Sequence, residues 1–425
     1  MVVTPSRFFL TYTQILLGKQ NLDWIIIFSC YKCKQARMLA NIELMAAQNL
    51  DQKTQPETER TMKIGHIQKA TVVASLLLGA ISLQAADNPW TGNGADHDWA
   101  NPANWTSNPS LPATGTGTTG DILDLDTVAP NNYAIYTAAQ GTLTYQTIRV
   151  GYYADGRLDV TGGTLIGDGS SVQTRIGRGG HTGTLNIAGG TFMPGSIMQV
   201  GIDANSVGIV NVSSGTLNAT RGATQDGIAN TSIALGAGNT GSGTLNLSGG
   251  NLYTRFGVEV GQSSLAGSGL FNVMGGGLAQ LGTANGANPT SAGFWYQRGN
   301  GTLAATVDSA GFTLGAIQIV NGSAGGSYVT FDSGSTLSLG FNGATPTTAM
   351  SWDLMTWDDN TTLTDNGLTL APGDTAAGWS FGFVDTGGTS APNALQITFT
   401  PVPEPSAFVL GGCGLAALLV FRRRK

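Results

Sequence analysis

The chain has 425 residues, of which 62 are glycine and only 11% are charged, and its formal net charge is −6. Between Asp87 and Pro403 there are twenty carboxylates against seven arginines and no lysine, a net charge of −13 for this body. Such an acidic body excludes nucleic-acid binding, which depends on neutralising phosphates. The body also contains none of the three cysteines, so a disulfide framework is excluded.

A secretion signal is predicted at residues 62–86. It opens with a short basic segment, continues through the apolar run Ala70–Leu83, and ends in Ala85 and Ala86, small residues that suit signal cleavage. This order predicts export through the secretion translocon. Residues 1–61 would then be an over-extended start or a disordered leader. A cytoplasmic extension that carries a signal anchor is the alternative.

Residues 87–147 are predicted to form an N-terminal β cap. They contain Trp90 and the segment Asp98–Trp105. Large apolar rings are expected to cover the unpaired strand edges at the end of a stacked β fold. Two glycine-rich segments, Gly115–Gly120 and Gly236–Gly241, match the dinucleotide pattern GxGxxG. Neither opens a helix inside a strand–helix–strand unit, so both are interpreted as turns.

Residues 148–340 repeat a unit of three short strands. The central polar position of the second strand recurs with spacings of 27, 25, 35, 26, 34 and 24 residues, at Asp159, Asn186, Asn211, Asn246, Asn272, Thr306 and Thr330. A period near 25 residues with short alternating strands is typical of a solenoid. The sequence therefore predicts an all-β protein, a right-handed parallel β-helix or solenoid of about seven coils. A β-sandwich of short strands is the competing architecture.

Stacked coils bring equivalent residues of successive repeats into contact. The asparagines are expected to form an outward ladder, bonded side chain to side chain. One inward ladder of the core is expected to contain five aliphatic residues, namely Val150, Ile176, Val200, Leu235 and Val260.

Two repeats are longer than the others, and both insertions fall after the third strand start. They are Asn218–Thr231 and Ala279–Ala292. Because both insertions occupy the same position in the repeat, they are expected at the same corner of the solenoid. Two loops would therefore project from one edge. Aromatic rings beside acids and arginines suit sugars, which makes this edge a predicted ligand site. Its residues are Arg221, Asp226, Tyr253, Arg255, Trp295 and Tyr296. Two surface loops without a ligand are the alternative.

Catalytic signatures are weak in this sequence. A glycosidase needs two carboxylates about 5–10 Å apart, and Asp155, Asp159 and Asp168 are the candidates. Arg175, Arg178 and His181 on the next coil could face them. The body has two histidines, His97 and His181, too few for a zinc site. We therefore expect no enzyme activity, no metal and no cofactor, with a polysaccharide lyase or glycosidase as the alternative.

The chain ends in a second β region and a tripartite tail. Residues 341–400, with three tryptophans, are predicted to form a C-terminal β cap. Residues 401–425 then hold a prolyl motif, an apolar run at 407–421 and four basic residues. The run predicts a transmembrane helix, and the basic residues stay on the cytoplasmic side.

This tail resembles the PEP-CTERM sorting signal of Gram-negative bacteria. The resemblance implies recognition of Pro403, Glu404 and Pro405 by an exosortase, a membrane-embedded transpeptidase-like enzyme. The basic residues Arg422, Arg423, Arg424 and Lys425 would stop transfer through the membrane. The repeats resemble autotransporter-associated β-strand repeats.

These features together predict an exported, exosortase-processed β-solenoid. Its expected destination is the cell surface, the outer membrane or the extracellular matrix, after a transient anchorage in the inner membrane. The resemblance implies a structural or adhesive role beside exopolysaccharide, as in a biofilm. A carbohydrate-active enzyme and a sugar-binding module without turnover are the alternatives.

Overall fold

The structure is a computed structural model that describes residues 86–402 together with Arg422. Within this range it leaves out residues 95, 117–119, 127–132, 169–172, 196, 221–231, 237–239, 262–266, 283–291, 321–325 and 388–390. The chain divides into two units, Met1–Ser82 and Leu83–Lys425, and every described residue belongs to the second. The predicted signal peptide, apart from Ala86, and the predicted membrane helix at 407–421 lie outside the described residues.

The described strands form three sheets. The first sheet has ten strands, in the order β1 (Asp87–Pro89), β2 (Ile122–Leu125), β5 (Thr147–Val150), β8 (Thr174–Arg178), β11 (Met198–Ile202), β14 (Ile233–Leu235), β17 (Gly257–Val260), β20 (Phe294–Gln297), β23 (Tyr328–Phe331) and β26 (Thr362–Asp365). The second sheet has nine, in the order β3 (Ala134–Tyr136), β6 (Gly156–Val160), β9 (Thr182–Ile187), β12 (Val207–Val212), β15 (Ser242–Leu247), β18 (Ser268–Met274), β21 (Gly301–Asp308), β24 (Thr336–Asn342) and β27 (Thr369–Leu370).

The third sheet has ten strands, in the order β4 (Thr142–Tyr145), β7 (Thr164–Gly167), β10 (Thr191–Met193), β13 (Thr216–Ala219), β16 (Asn251–Thr254), β19 (Leu278–Leu281), β22 (Ala316–Ile319), β25 (Met350–Trp357), β29 (Ala394–Phe399) and β28 (Trp379–Val384). Two short 3-10 turns, Pro102–Asn104 and Ala138–Gln140, complete the secondary structure of the described residues.

Each coil contributes one strand to each sheet, and the coils stack in parallel. Eight complete coils run from β2–β4 to β23–β25. The all-β solenoid is thus confirmed, with one coil more than predicted. The stack starts earlier and ends later than the predicted repeat region at 148–340, because Ile122 and Trp357 already belong to paired strands. The right-handed sense stays a prediction.

The predicted inward ladder is confirmed. Val150 pairs with Ile176, which pairs with Val200, and the row continues through Leu235 to Val260. All five side chains are fully buried. The row then continues through Gln297 and Phe331. Because one coil cannot bury its own apolar side chains, this contact between neighbouring coils creates the core.

The predicted outward ladder is confirmed for its asparagines. In each pair the Nδ2 of one residue donates to the Oδ1 of the residue on the preceding coil: Asn186 to Asp159 (2.6 Å), Asn211 to Asn186 (2.7 Å), Asn246 to Asn211 (2.8 Å) and Asn272 to Asn246 (3.2 Å). The ladder ends on the Asp159 carboxylate, which also accepts two hydrogen bonds from Arg157, at 2.8 and 2.6 Å. All the amide dipoles therefore point the same way.

The predicted placement of Thr306 and Thr330 at the central polar position of the second strand is wrong. Asn272 lies opposite Ala304, and Thr306 lies opposite Met274, two residues further along the same face. Thr330 belongs to the first sheet, where it pairs with Tyr296. Period counting misplaced Thr306 because a shift of two residues keeps a strand's side chains on the same face, and it misplaced Thr330 because it assigned a strand of the first sheet to the second.

The corner between the third and first sheets holds both long insertions, as predicted. One lies between β13 and β14, and the other lies between β19 and β20. The coil between them closes this corner with only Arg255 and Phe256, which join β16 to β17. Length variation among these coils is therefore concentrated at this corner.

Both ends of the stack carry aromatic caps. At the start, Trp90, Trp99 and Trp105 are almost fully buried, and their rings meet edge to face. At the other end β29 lies between β25 and β28 and pairs antiparallel with both. In the part of the chain that the structure describes, no helix has the length and apolar character needed to cross a membrane.

Candidate functional site

In the first two coils, the corner between the first and second sheets carries tyrosine side chains. Tyr152 and Tyr153 occupy it between β5 and β6, and Tyr133 lies just before β3. Of the two histidines of the body, His97 stacks on the Tyr133 ring, and His181 lies on the next coil beside Asp155. We call these five residues the aromatic corner.

Tyr152 is held by arginines of the first sheet. The Cζ atoms of Arg149 and Arg178 lie 4.2 and 4.5 Å from the centroid of its ring, within cation–π range. Its hydroxyl oxygen accepts a hydrogen bond from Nη1 of Arg175 at 3.1 Å and a second one from Nη1 of Arg178. A ring contacted by so many fixed groups has little freedom to rotate.

One buried and one half-buried carboxylate hold the base of the corner. Asp124 is fully buried and accepts two hydrogen bonds from Arg149, from Nε and, at 2.7 Å, from Nη2. Asp126 accepts the backbone N–H groups of Tyr152 at 2.6 Å and Tyr153 at 3.1 Å. Burial raises the pKa of Asp124 to about 6, although the Arg149 guanidinium lowers it. Burial likewise raises the pKa of Asp126 to about 6.

Tyr153 is exposed, unlike the other rings of the corner. Its side chain is 62% exposed, and its ring meets Tyr152 edge to face with centroids 4.5 Å apart. His181 lies nearby on the next coil, with Nδ1 4.0 Å from the Asp155 carboxylate. Asp155 in turn accepts the backbone N–H of Thr182 at 2.7 Å.

The preceding coil carries a second aromatic pair at the same corner. The rings of His97 and Tyr133 are stacked, with centroids 4.1 Å apart and planes 15° from parallel. The Cζ of Arg157 lies 4.2 Å from the centroid of Tyr133. Successive coils therefore place aromatic and cationic groups along one edge of the stack.

A second cluster lies on the outer face of the first sheet, near the end of the stack. Arg298 lies with its Cζ 3.6 Å from the centroid of Tyr296. Its Nε donates to Glu259 at 2.9 Å, and its Nη1 lies 3.5 Å from Asp332. Burial raises the pKa of Tyr296. This arginine joins three successive coils, which is a structural role.

The structure does not bring the predicted ligand residues to one surface. Trp295 is fully buried and packs edge to face on Phe271, so the prediction that it lies on an exposed edge is wrong. Alternation along β20 turns Trp295 inward and Tyr296 outward. Tyr253 lies on the third sheet, and Arg255 lies at the tight corner between the insertions. Arg221 and Asp226 lie outside the described residues.

The predicted catalytic candidates meet in part. His181 lies beside Asp155, with Nδ1 4.0 Å from the carboxylate, whereas Asp159 is engaged by Arg157 and Asn186. Four residues of extended chain, about 13 Å between Cα atoms, separate Asp159 from Asp155. Among the residues that the structure describes, no group of three or more histidine, cysteine, aspartate or glutamate side chains is placed to hold a metal ion.

The aromatic corner was not predicted from the sequence. The available signal was a break in the repeat, because Tyr153 stands where the next two coils have Gly179 and Asp203.

The predicted sorting residues follow the last strand of the stack, β29, in the sequence. The backbone N–H of Thr400, just after β29, donates to Gly378 at 2.9 Å, and Val402 is 56% exposed. Pro403, Glu404 and Pro405 lie outside the described residues, as do Arg423, Arg424 and Lys425. Arg422 is exposed.

Comparison with known families gives one finding. Residues 401–425 match the PEP-CTERM protein-sorting motif. A search of curated proteins found no match. A search of solved structures found none either. The motif indicates an exported protein that is targeted by exosortase to the cell surface. The likeness of the coils to autotransporter-type repeats stays a prediction.

Proposed function

We propose that this chain is a stiff, non-catalytic rod that is displayed at the cell surface and has a structural or adhesive role beside extracellular polysaccharide. The observation that carries the proposal is the continuous register of eight coils above a sorting signal. Ten strands of the first sheet at about 4.8 Å spacing give a length of about 40 Å.

The register supports stiffness because each coil is joined to the next in several ways. Parallel backbone pairing links the coils in all three sheets. The aliphatic rows fill the interior, and the asparagine ladder links the outside of five coils through side chains. Bending such a stack would separate strand pairs and side-chain contacts together, so it is energetically costly.

Surface display is tested by fractionation of cells that contain exosortase. The full chain is compared with the variant Pro403→Ala, Glu404→Ala, Pro405→Ala. Pro372→Ala is the matched control, because this proline is exposed and lies outside the sorting motif. We expect the triple variant to remain in the inner membrane while the control reaches the surface. Surface display of the triple variant would refute exosortase-dependent sorting.

The non-catalytic role is tested by incubating the purified full chain with acidic and neutral polysaccharides. We expect no new reducing ends and no unsaturated products. Products that appear with the wild-type chain and disappear with Asp155→Asn would show an enzyme instead.

A further inference from the structure

We propose that the aromatic corner is a binding site for an uncharged polysaccharide. This inference deepens the proposed function, on which it rests for the surroundings of the protein. It assigns the contact with sugar to the start of the rod, away from the edge that the sequence predicts.

The first argument is the break in the internal repeat. The coils are copies of one unit, so a corner that only has to turn the chain needs small residues. The register aligns Tyr152 with Arg178, which is also large, whereas it aligns Tyr153 with Gly179 and then with Asp203. Tyr153 is therefore larger than the turn requires, and its ring is available for another use.

The second argument is that the exposed ring is held in place before any ligand arrives. Asp126 accepts a hydrogen bond from the backbone N–H of Tyr153, and the rings of Tyr153 and Tyr152 meet edge to face. Tyr152 is itself fixed by Arg149, Arg175 and Arg178. A rigid exposed aromatic ring offers an apolar face at a small cost in entropy, which favours binding.

The third argument is the arrangement of polar groups around that ring. Arg178, whose side chain is 33% exposed, donates through Nε to Asp203 at 2.9 Å. The His181 side chain is 37% exposed and lies beside Asp155. Fixed donors and acceptors beside an apolar ring face match a sugar, which has C–H groups on its faces and hydroxyls on its rim.

The site also extends along the rod. Tyr133 belongs to the preceding coil and carries His97 of the N-terminal cap stacked on its ring, and His181 belongs to the following coil. Coils lie about 4.8 Å apart, so a polymer that runs along this edge contacts several coils. This arrangement favours a polysaccharide over a single sugar.

Charge selects against acidic polymers. The side chains of Asp155 and Asp203 are 71% and 45% exposed at this corner. The neighbouring cations Arg157 and Arg178 are neutralised by ion pairs with Asp159 and Asp203. The body carries twenty carboxylates against seven arginines, which adds long-range repulsion of a polyanion. The ligand expected at this corner is therefore uncharged.

The second cluster is a poorer candidate. The guanidinium of Arg298 covers Tyr296 at 3.6 Å. The side chains of Arg298 and Glu259 are only 24% and 12% exposed. These groups contact one another, so they offer less surface than Tyr153.

The test is affinity electrophoresis of the full chain, purified in detergent, through gels that contain dextran, a neutral β-glucan, a galactomannan or alginate. We expect at least one neutral polymer to retard the wild type and alginate to leave it unaffected. Tyr153→Ala should weaken binding about tenfold, and Tyr153→Phe, which keeps the ring, should retain it. Tyr253→Ala is the matched control, because Tyr253 lies on another sheet.

Three results would overturn the proposal. They are no retardation of the wild type by any neutral polymer, equal retardation of wild type and Tyr153→Ala, and retardation by alginate alone. Thermal unfolding of the variants checks that they are folded. Surface fractionation of Tyr153→Ala keeps the two ideas separate, because a failure of sorting would concern the rod and its signal, whereas a loss of retardation concerns the corner.

Discussion

The asparagine ladder ends at Asn272, because the opposite residue on the next coil is Ala304. The variant Ala304→Asn would extend the ladder by one coil and so tests how much each ladder hydrogen bond stabilises the protein. The Oδ1 of Asn272 is buried and has no hydrogen-bond partner. Ala304 lies directly opposite on the next coil, on the same face. An asparagine there repeats the geometry of the four bonds below it, so its Nδ2 can donate to that oxygen. We expect Ala304→Asn to stabilise the protein.

The magnitude follows from one added hydrogen bond. A protein hydrogen bond contributes about 0.5–1.5 kcal/mol net to the free energy of unfolding. For roughly 300 folded residues, an unfolding entropy of about 2.1 cal/mol/K per residue converts 1 kcal/mol into a rise in Tm of about 1.5 °C. Differential scanning calorimetry resolves this shift, and hydrogen exchange of the β18 and β21 amides locates it.

Thr306→Asn is the matched control. It introduces the same amide on the same face of β21, but its partner across the coils is Met274. It should leave Tm unchanged or lower it. An equal rise for both variants, or a lower Tm for Ala304→Asn, would contradict the idea that register and the orphan Oδ1 determine the gain.

Three further perturbations test the stack. Asn211→Ala should lower the free energy of unfolding by about 2–4 kcal/mol, because it removes two ladder hydrogen bonds and leaves polar groups of Asn186 and Asn246 unpaired. A loss of less than about 0.5 kcal/mol in chemical denaturation would refute a stabilising role of the ladder. Gly243→Ala should lower the free energy of unfolding by about 3 kcal/mol or more, because a Cβ there would lie 2.3 Å from backbone atoms of Gly236 and Val200. Gly340→Ala, whose Cβ would meet no atom within 4 Å, should leave stability almost unchanged. Similar Tm values for the two variants would be inconsistent with this packing. Burial raises the pKa of Asp126 from 3.8 to about 6 in the folded state, so between these pH values the folded protein binds more protons than the unfolded chain. The contribution of Asp126 to stability therefore increases as pH falls from 7 towards 4, and Asp126→Asn should show a smaller gain in Tm on acidification than the wild type. An identical gain would contradict the raised pKa.

The sequence predicted the fold well wherever a side chain repeats. Val150, Ile176 and Val200 share a phase, and the structure pairs them inside the core. The asparagines likewise meet as predicted. Periodicity carries this information because stacked coils place equivalent residues in contact. The corner shared by the two insertions followed from the same argument.

The prediction failed where the repeat is degenerate. Thr306 fits the period but not the register, because a two-residue shift leaves a strand's side chains on the same face. Thr330 also fits the period, yet it belongs to a different sheet. Trp295 was expected outside because its size and aromaticity suit a ligand, yet alternation along β20 places it inside. The aromatic corner was missed because it is defined by contacts between coils, such as those of Arg149 and Arg178 with Tyr152, which spacing alone does not reveal.

The equivalence of neighbouring coils makes the reach of this protein adjustable in discrete steps. Met198 lies opposite Ile233, and Gln199 lies opposite Ala234. Excision of Gln199–Ile233 would therefore join Met198 to Ala234 at matching positions and let Asn186 meet Asn246 in place of Asn211. The molecule would become shorter by about 4.8 Å with both caps intact. Duplication of a coil would lengthen it by the same increment, so copy number alone sets how far its first coils stand from the tail.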